Sequence, residues 1–252
     1  MLRGERFSEL MRKDALDRGK FSKYLETLKE DVDYLSTMVY HSNTIEGNTM
    51  TMSDTKKALE SIHVSGEVMT KDLEGDYSPR EVNEVQDLAN AAMFMYDESM
   101  CGTSLDEEFI LNLHALTCEN DGRANPGVYK KSDNYTTHSG VMHRYLSADK
   151  VERETLKMIT QYNCSNHEIQ DISRMVMKFT QIHPFDDGNG RVSRLLLNWA
   201  LLSQKYPPVI IKSEEKPEYI KLLMDFDDTD NENPFAEFIL EKVCAALETI
   251  LS

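Results

Sequence analysis

The sequence predicts an all-α fold with one small β element. Apolar residues recur at helical spacing through most of the 252 residues, and the alternation typical of strands is scarce. The helical pattern stops at the turn residues Asn125-Pro126-Gly127 and resumes some twenty residues later. Hydrophobic residues make up 40% of the chain and charged residues 29%, so the chain can bury a substantial core. Its length fits one large domain, or a core with a smaller extension.

Four helices are predicted before that turn, from apolar periodicity and from capping residues. They cover residues 21–45, ended by the breaker Gly47-Asn48; a short segment to Ile62, capped by Thr51 or Ser53; residues 80–96; and a segment from a Ser104/Glu107 capping box to about Cys118.

After the turn, the short runs 128–130 and 141–146 flank a polar centre, which predicts a β-hairpin or an extended flap. Helical periodicity then returns in five segments. They cover residues 148–162, 167–182, 189–202, 215–224 and 234–251.

The charge balance disfavours some classes of function. The chain has 28 Lys and Arg against 44 Asp and Glu, a formal net charge of -16. Such a surface repels phosphate backbones, so no nucleic-acid partner is expected. No stretch approaches the roughly 20 apolar residues that span a bilayer, and the start of the chain lacks the apolar run of a signal peptide. We therefore expect no membrane partner and a cytoplasmic location.

The segment Gln181-Ile-His-Pro-Phe-Asp-Asp-Gly-Asn-Gly-Arg-Val-Ser-Arg194 carries the chemistry. A glycine-rich turn that opens a helix exposes backbone N–H groups, which together with the helix dipole bind anions. Arg191 and Arg194 lie three residues apart on that helix and could both reach one face near its start. Such a site suits a polyphosphate. Asp187 could hold Mg²⁺ against the phosphates, and His183 has the ordinary pKa of a general base.

Each of these features also has an ordinary structural interpretation. A His-Pro at a helix end is usually a surface or capping histidine, Gly-Asn-Gly is usually a turn, and helix arginines are usually exposed. If each feature had only its ordinary structural role, nothing would explain why all of them occur in this order within twelve positions. Their conjunction favours a catalytic site.

Residues 183–194 resemble the signature of Fic domains, HxFx(D/E)GNGRxxR, without departure. The run from Pro126 to Lys130 resembles the start of the family's flap region, with Lys130 in place of the usual Arg. Residues 218–223 and 233–238 resemble its two closing helices. The resemblance implies a Fic-type helical core with a small β-hairpin flap over residues 80–252, and transfer of AMP from ATP to a protein hydroxyl.

The resemblance also implies a role for each motif residue. His183 would deprotonate the incoming Ser, Thr or Tyr hydroxyl, and Asp187 would ligate Mg²⁺. The residues expected to bind the nucleotide are Gly188, Asn189 and Gly190 at the α-phosphate, Arg191 at the β-phosphate, Arg194 at the γ-phosphate and Tyr219 beside the adenine.

Glu46 lies where the dipole of the preceding helix is negative, an unfavourable place for a carboxylate. Its segment, from Ser42 to Asn48, resembles the inhibitory motif (S/T)xxxE(G/N) of Fic proteins. The resemblance implies an inhibitory helix within an N-terminal helical region, residues 1–62. Ser42 would anchor that helix, and Glu46 would pair with Arg194 and inhibit the enzyme.

Several alternatives stay open at this stage. The same site could transfer another nucleotide or phosphate moiety, could remove AMP from a modified protein, or could serve a regulatory module that only binds nucleotide. The target protein and the acceptor residue are not evident from the sequence. Auto-modification and a homodimer are suggested by the family alone.

Overall fold

Helix α9 (Asn189–Ser203) runs through the middle of the molecule. The computed structural model describes residues 3–16, 19–102, 104–138 and 141–252. Within these ranges, α9 is buried at every position from Arg191 to Leu202 and packs against four other helices, α3, α5, α6 and α8, whose bounds follow. A helix that is buried all round belongs in a core. The glycine-rich turn that precedes α9 therefore stands on the most buried element of the fold.

Ten further helices and one antiparallel hairpin surround α9 within the described ranges, so the prediction of an all-α fold with a small hairpin is confirmed. The helices are α1 (Arg3–Leu16), α2 (Lys20–Thr27), α3 (Val32–Ile45), α4 (Met52–Ser65), α5 (Pro79–Met100), α6 (Glu107–Thr117), α7 (Val151–Asn163), α8 (Ile169–Ile182), α10 (Lys216–Thr229) and α11 (Asn233–Leu251). The strands are β1 (Tyr135–His138) and β2 (Val141–Arg144), and Tyr135 pairs with Arg144.

The single long helix expected over residues 21–45 is broken at Asp31. The backbone of Asp31 has φ -78° and ψ 91°, outside the helical region, and its carboxylate accepts a hydrogen bond from the N–H of Tyr34 at 2.9 Å. Asp31 is thus the N-cap of a separate helix. Apolar spacing could not show the break, because α2 and α3 both turn their apolar faces to the core.

Capping residues define the other helix starts. Thr51 accepts from the N–H of Asp54, so the expected cap is confirmed there. The cap expected at Ser104 is wrong: Asp106 accepts from the N–H of Phe109 at 2.7 Å, two residues later. Ser104 and Asp106 are both favourable N-cap residues, and the helix begins after Asp106 because its first apolar turn starts there.

The hairpin also begins later than expected. Residues 128–130 are not a strand; they have no regular secondary structure and lie beside the turn before α9, where the N–H of Lys130 donates to the carbonyl of Pro184 at 2.9 Å. The first strand starts at Tyr135 instead. Among the described helices, none is both long and apolar enough to cross a bilayer.

Candidate active site

The loop between α8 and α9 is held by its own side chains. The amide of Asn189 closes it, since its Nδ2 donates to the carbonyl of Phe185 at 2.8 Å and its Oδ1 accepts from the N–H of Phe185 at 2.9 Å. Gly188 has φ 78°, and a Cβ at that position would lie 2.5 Å from the Sγ of Cys118. Only glycine fits such a position. The start of α9 is therefore fixed, with its first N–H groups free of intrahelical partners.

A cavity of about 400 Å³ opens at this end of α9. Its volume is that of a small-molecule site. The lining brings together most of the site residues expected from the sequence: Glu46, His183, Asp187, Gly188, Asn189, Gly190, Arg194 and Tyr219. Ile220, Leu223 and Met224 of α10 supply an apolar wall, and Tyr135, Thr136, His143 and Tyr145 come from the hairpin and the residue after it. One part of the cavity is thus a cationic helix start and another part is apolar.

His183 ends α8 in the left-handed region, with φ 50° and ψ 63°. Its ring stacks on Tyr145 with the two centroids 3.6 Å apart and the planes 10° apart. Burial, aided by the charge of Lys130, lowers the pKa of His183 to about 3, although the ring also hydrogen-bonds the backbone of Thr180. The imidazole is therefore neutral near pH 7, in the form that accepts a proton.

Arg194 is bound on one side by the end of α3. Its Nε donates to the hydroxyl of Ser42 at 2.9 Å, and its Nη2 donates to the carbonyl of Ser42 at 3.0 Å and to the carboxylate of Glu46 at 2.8 Å. Burial by itself would raise the pKa of Glu46, but the charge and hydrogen bond of Arg194 lower it overall. Glu46 is thus an ionised carboxylate paired with Arg194. Ser42 does not line this cavity, but it contacts Arg194, which does.

The end of α3 is also held from α10. The ammonium of Lys216 donates to the carbonyl of Ile45 at 2.6 Å, which satisfies one of the carbonyls left free at a helix C-terminus. Earlier in α3, the Nδ1 of His41 accepts a hydrogen bond from the N–H of Ser213 at 3.1 Å. These contacts fix the helix end from which Glu46 projects.

Asp187 faces the cavity beside the helix start. One of its oxygens accepts from the N–H of Gly188 at 2.6 Å, and the other lies 3.0 Å from the Nη1 of Arg123. Across the described residues, no cluster of three or more His, Cys, Asp or Glu could hold a metal alone. Magnesium bound mainly by substrate phosphates needs only one or two protein carboxylates. Asp187 fits that requirement, being partly exposed and adjacent to an anion-binding helix start.

Arg191 differs from the expectation. Its guanidinium is buried under the loop, where Nη2 lies 2.9 Å from a carboxylate oxygen of Asp121, and it does not line the cavity. Three residues advance a helix by 300°, so side chains at that spacing diverge by about 60°. Gly190 and Arg194, four residues apart, share the cavity face instead. The expected contact between Arg191 and a β-phosphate is not available in this conformation.

Three residues contact the site although the sequence assigned them no role there. Arg123 is the partner of Asp187 just described. His114 is fully buried: its Nδ1 accepts from the N–H of Gly127 at 3.0 Å, so its Nε2 is the donor to the carbonyl of Asp187 at 3.2 Å. Lys130 lies beside His183. All three come from a segment at least fifty residues before the motif. Lys130 belongs to the run that resembles the start of the flap region, but no local pattern predicts the contacts that any of the three makes with the motif loop.

The region that carries this site is similar to a known protein family. Residues 104–201 match the family model of the Fic/DOC family. The chain contains a Fic domain. The matched range runs from α6 through the hairpin to α9, and so includes the motif loop. Ser42, Glu46 and Tyr219 reach the Fic site from outside it.

Curated relatives of this Fic protein are named protein adenylyltransferase Fic. The protein of Drosophila willistoni is 29% identical over 204 residues, which are 81% of this chain and 39% of that protein. The protein of Drosophila persimilis is 30% identical over 207 residues, 81% of this chain and 38% of that protein. The chain therefore spans less than half the length of these relatives.

Solved structures share the fold. A Fic domain containing signaling protein from Bacteroides thetaiotaomicron aligns with a TM-score of 0.80 at 23% identity, over 99% of this chain and 95% of that chain. A Fic-1 fragment from Caenorhabditis elegans aligns with a TM-score of 0.71 at 24% identity, over 94% of this chain and 72% of that chain. At these identities the likeness concerns the fold, including the N-terminal helices that precede the Fic match.

Proposed function

We propose that this Fic protein is a protein adenylyltransferase, which transfers AMP from ATP to a Ser, Thr or Tyr hydroxyl of a target protein. The observation that carries the proposal is the placement of His183 in one cavity with a fixed, glycine-rich helix start and Arg194. The names of the curated relatives support the same reaction. The apolar wall of α10 suits a nucleoside, and the helix start suits its phosphates.

In the proposed reaction, His183 takes the proton of the target hydroxyl as its oxygen attacks the α-phosphorus of ATP. The bond from that phosphorus to the bridging oxygen breaks, and pyrophosphate leaves. The N–H groups of Asn189 and Gly190 would stabilise the charge that develops on the α-phosphate, and that of Gly188 would join them once it leaves the carboxylate of Asp187. Asp187 would hold Mg²⁺, which neutralises charge on the phosphates when bound. Arg194 would hold the γ-phosphate and so align pyrophosphate as the leaving group.

We further propose that the end of α3 inhibits this reaction. Both N–H groups of the Arg194 Nη2 are engaged, one by the carbonyl of Ser42 and one by Glu46. A γ-phosphate needs the same donors, so ATP can bind only without its aligned geometry or after Glu46 is displaced. The isolated protein is expected to be weakly active.

Transfer of labelled AMP tests the proposal. Glu46→Gly is incubated with Mg²⁺ and ATP labelled at either the α- or the γ-phosphate, beside the wild type and the Glu46→Gly/His183→Ala double variant. We expect covalent α-label on Glu46→Gly through auto-modification, much less on the wild type, and none on the double variant. Glu46→Gln, which keeps the size of the side chain without its charge, should fall between the first two.

The labels also separate the competing functions. Retention of γ-label would indicate phosphate transfer. An ATP-dependent thermal shift without any label on Glu46→Gly, or on lysate proteins incubated with it, would indicate a binding module. Loss of AMP from a labelled protein on addition of the wild type would show the reverse reaction. A cytoplasmic location stays a prediction from the sequence, and a homodimer stays a prediction from the family resemblance.

A further inference from the structure

Lys130 is a buried charge that the proposed mechanism does not use. The residue is 3% exposed, beside the loop that carries His183. Its ammonium donates to the side-chain oxygen of Asn134 at 2.6 Å and, at a longer 3.5 Å, to the carbonyl of Ile182. Burying an ammonium group among neutral acceptors is costly. Burial accordingly lowers the pKa of Lys130 to about 8, although the carboxylates of Asp133 and Asp186 oppose this through space.

The contacts of Lys130 bracket His183. Its backbone N–H donates to the carbonyl of Pro184 at 2.9 Å, and its ammonium reaches the carbonyl of Ile182, so it bonds to the residues on either side of the histidine. His183 itself adopts φ 50° and ψ 63°, which is unfavourable for a residue with a side chain. Such a conformation persists only when its surroundings hold it. Lys130 provides two of the contacts that do so.

The groups facing the His183 ring come from several elements. The charge of Lys130 and that of His143 on β2 oppose a proton on the ring, while the backbone of Thr180 favours one. Tyr145 stacks on the ring, and Glu46 lies across the same cavity. His143 is itself 3.3 Å from the carboxylate of Asp227. Of the charged neighbours, Lys130 acts most strongly on the ring.

We propose that Lys130 is a positioning residue for His183: it ties the strained histidine turn to the segment before the hairpin, and it places a buried positive charge beside the imidazole. The catalytic meaning of this role rests on the proposed function, because it assumes that His183 accepts the proton of the target hydroxyl. The structural and electrostatic roles do not depend on it.

The test that is independent of activity is an NMR titration of the His183 imidazole in the full chain without nucleotide. In the wild type, the ring should titrate below pH 5. In Lys130→Met, which keeps the length and removes the charge, the midpoint should move up by roughly one unit or more. Lys130→Arg should keep the wild-type midpoint, and so should the matched control Lys131→Met, since Lys131 is exposed.

Two results would overturn the proposal. One is a wild-type ring that titrates near its ordinary pKa. The other is a folded Lys130→Met whose His183 midpoint equals that of the wild type. If Lys130→Met does not fold, Lys130→Gln retains a donor for the carbonyl of Ile182 without the charge and gives the same measurement. If neither folds while Lys130→Arg does, the buried charge is required to hold the histidine turn, and a wild-type ring that titrates near its ordinary pKa would still overturn the proposal.

Activity provides a second measurement in the Glu46→Gly background. The acid limb of the pH profile of auto-labelling should lie at higher pH in Lys130→Met than in Lys130→Arg, because His183 would be protonated over a wider range. An acid limb at the same pH in both variants would count against the charge role. If Glu46→Gly takes up no label at any pH, the proposed function fails, while the NMR titration still decides the role of Lys130.

Discussion

Arg191→Met tests whether the first arginine of the motif supports the loop or binds phosphate. In the structure its side chain is 2% exposed and pairs with Asp121, whose side chain is 0% exposed. Burial alone would raise the pKa of Asp121, but Arg123 and Arg191 lower it to about 2, so the pair is ionised. This ion pair joins the first turn of α9 to the segment after α6. We therefore expect the substitution to act on stability.

The expected loss of stability in Arg191→Met depends on the partners that Asp121 retains. Removing one partner of a buried ion pair usually costs about 3–5 kcal/mol. Asp121 would keep Arg123, whose Nε and Nη2 lie 2.5 and 2.6 Å from its oxygens, so the lower end applies to Arg191→Met. About 3 kcal/mol corresponds to a Tm lower by roughly 6–12 °C in a chain of this size. Arg153→Met is a matched control, since Arg153 pairs with Glu154 at the surface, where ion pairs contribute little to stability.

The assay combines thermal unfolding with calorimetric titration of ATP in the Glu46→Gly background. Arg191→Met should lower the Tm and leave the ATP affinity within about threefold. Arg194→Met should instead weaken ATP about tenfold or more, since a hydrogen bond to a charged group contributes about 1.5–3 kcal/mol. An unchanged Tm in Arg191→Met together with a tenfold loss of ATP affinity would refute the reasoning and make Arg191 a phosphate ligand.

Two further predictions concern the loop before α9. Gly188→Ala should lower the free energy of unfolding by about 3 kcal/mol, because the left-handed backbone at this position penalises a Cβ that would also clash with Cys118. The control Gly66→Ala, at φ 81° with open space around it, should lower it by only about 1–2 kcal/mol. Equal losses for the two variants in chemical unfolding would contradict the clash at Gly188. Burial lowers the pKa of His114 to about 4, so the unfolded chain binds its proton first as the pH falls. The free energy of unfolding should therefore decrease by about 3 kcal/mol between pH 7 and 4 relative to His114→Gln, and a constant difference between the two proteins would contradict this.

Much of the fold and part of the candidate site could be predicted because the informative residues lie close together in sequence. The twelve residues from His183 to Arg194 join two helices, so the contiguous motif already defined the loop and the helix start. Helical spacing identified most helices, but it ran through Asp31, where both flanking segments face the core. Local sequence patterns therefore predicted which segments are helical better than they predicted where each helix begins and ends.

Long-range pairing could not be predicted in the same way. His114, Arg123 and Lys130 approach the motif loop from more than fifty residues away, and their partners depend on how α6 and the following segment pack on α9. The orientation of Arg191 had the same cause. Three-residue spacing places two side chains near one end of a helix, but the burial of the helix decides which of them faces a cavity.

The intact mass of Glu46→Gly after incubation with ATP and Mg²⁺ tests the central claim most directly. We expect a new species heavier by one or more AMP groups. The wild type should show far less of it, because Glu46 occupies Arg194, and the Glu46→Gly/His183→Ala variant should show none. An unmodified Glu46→Gly protein, in a lysate whose proteins also gain no AMP, would contradict the claim that this cavity transfers AMP and that Glu46 restrains it.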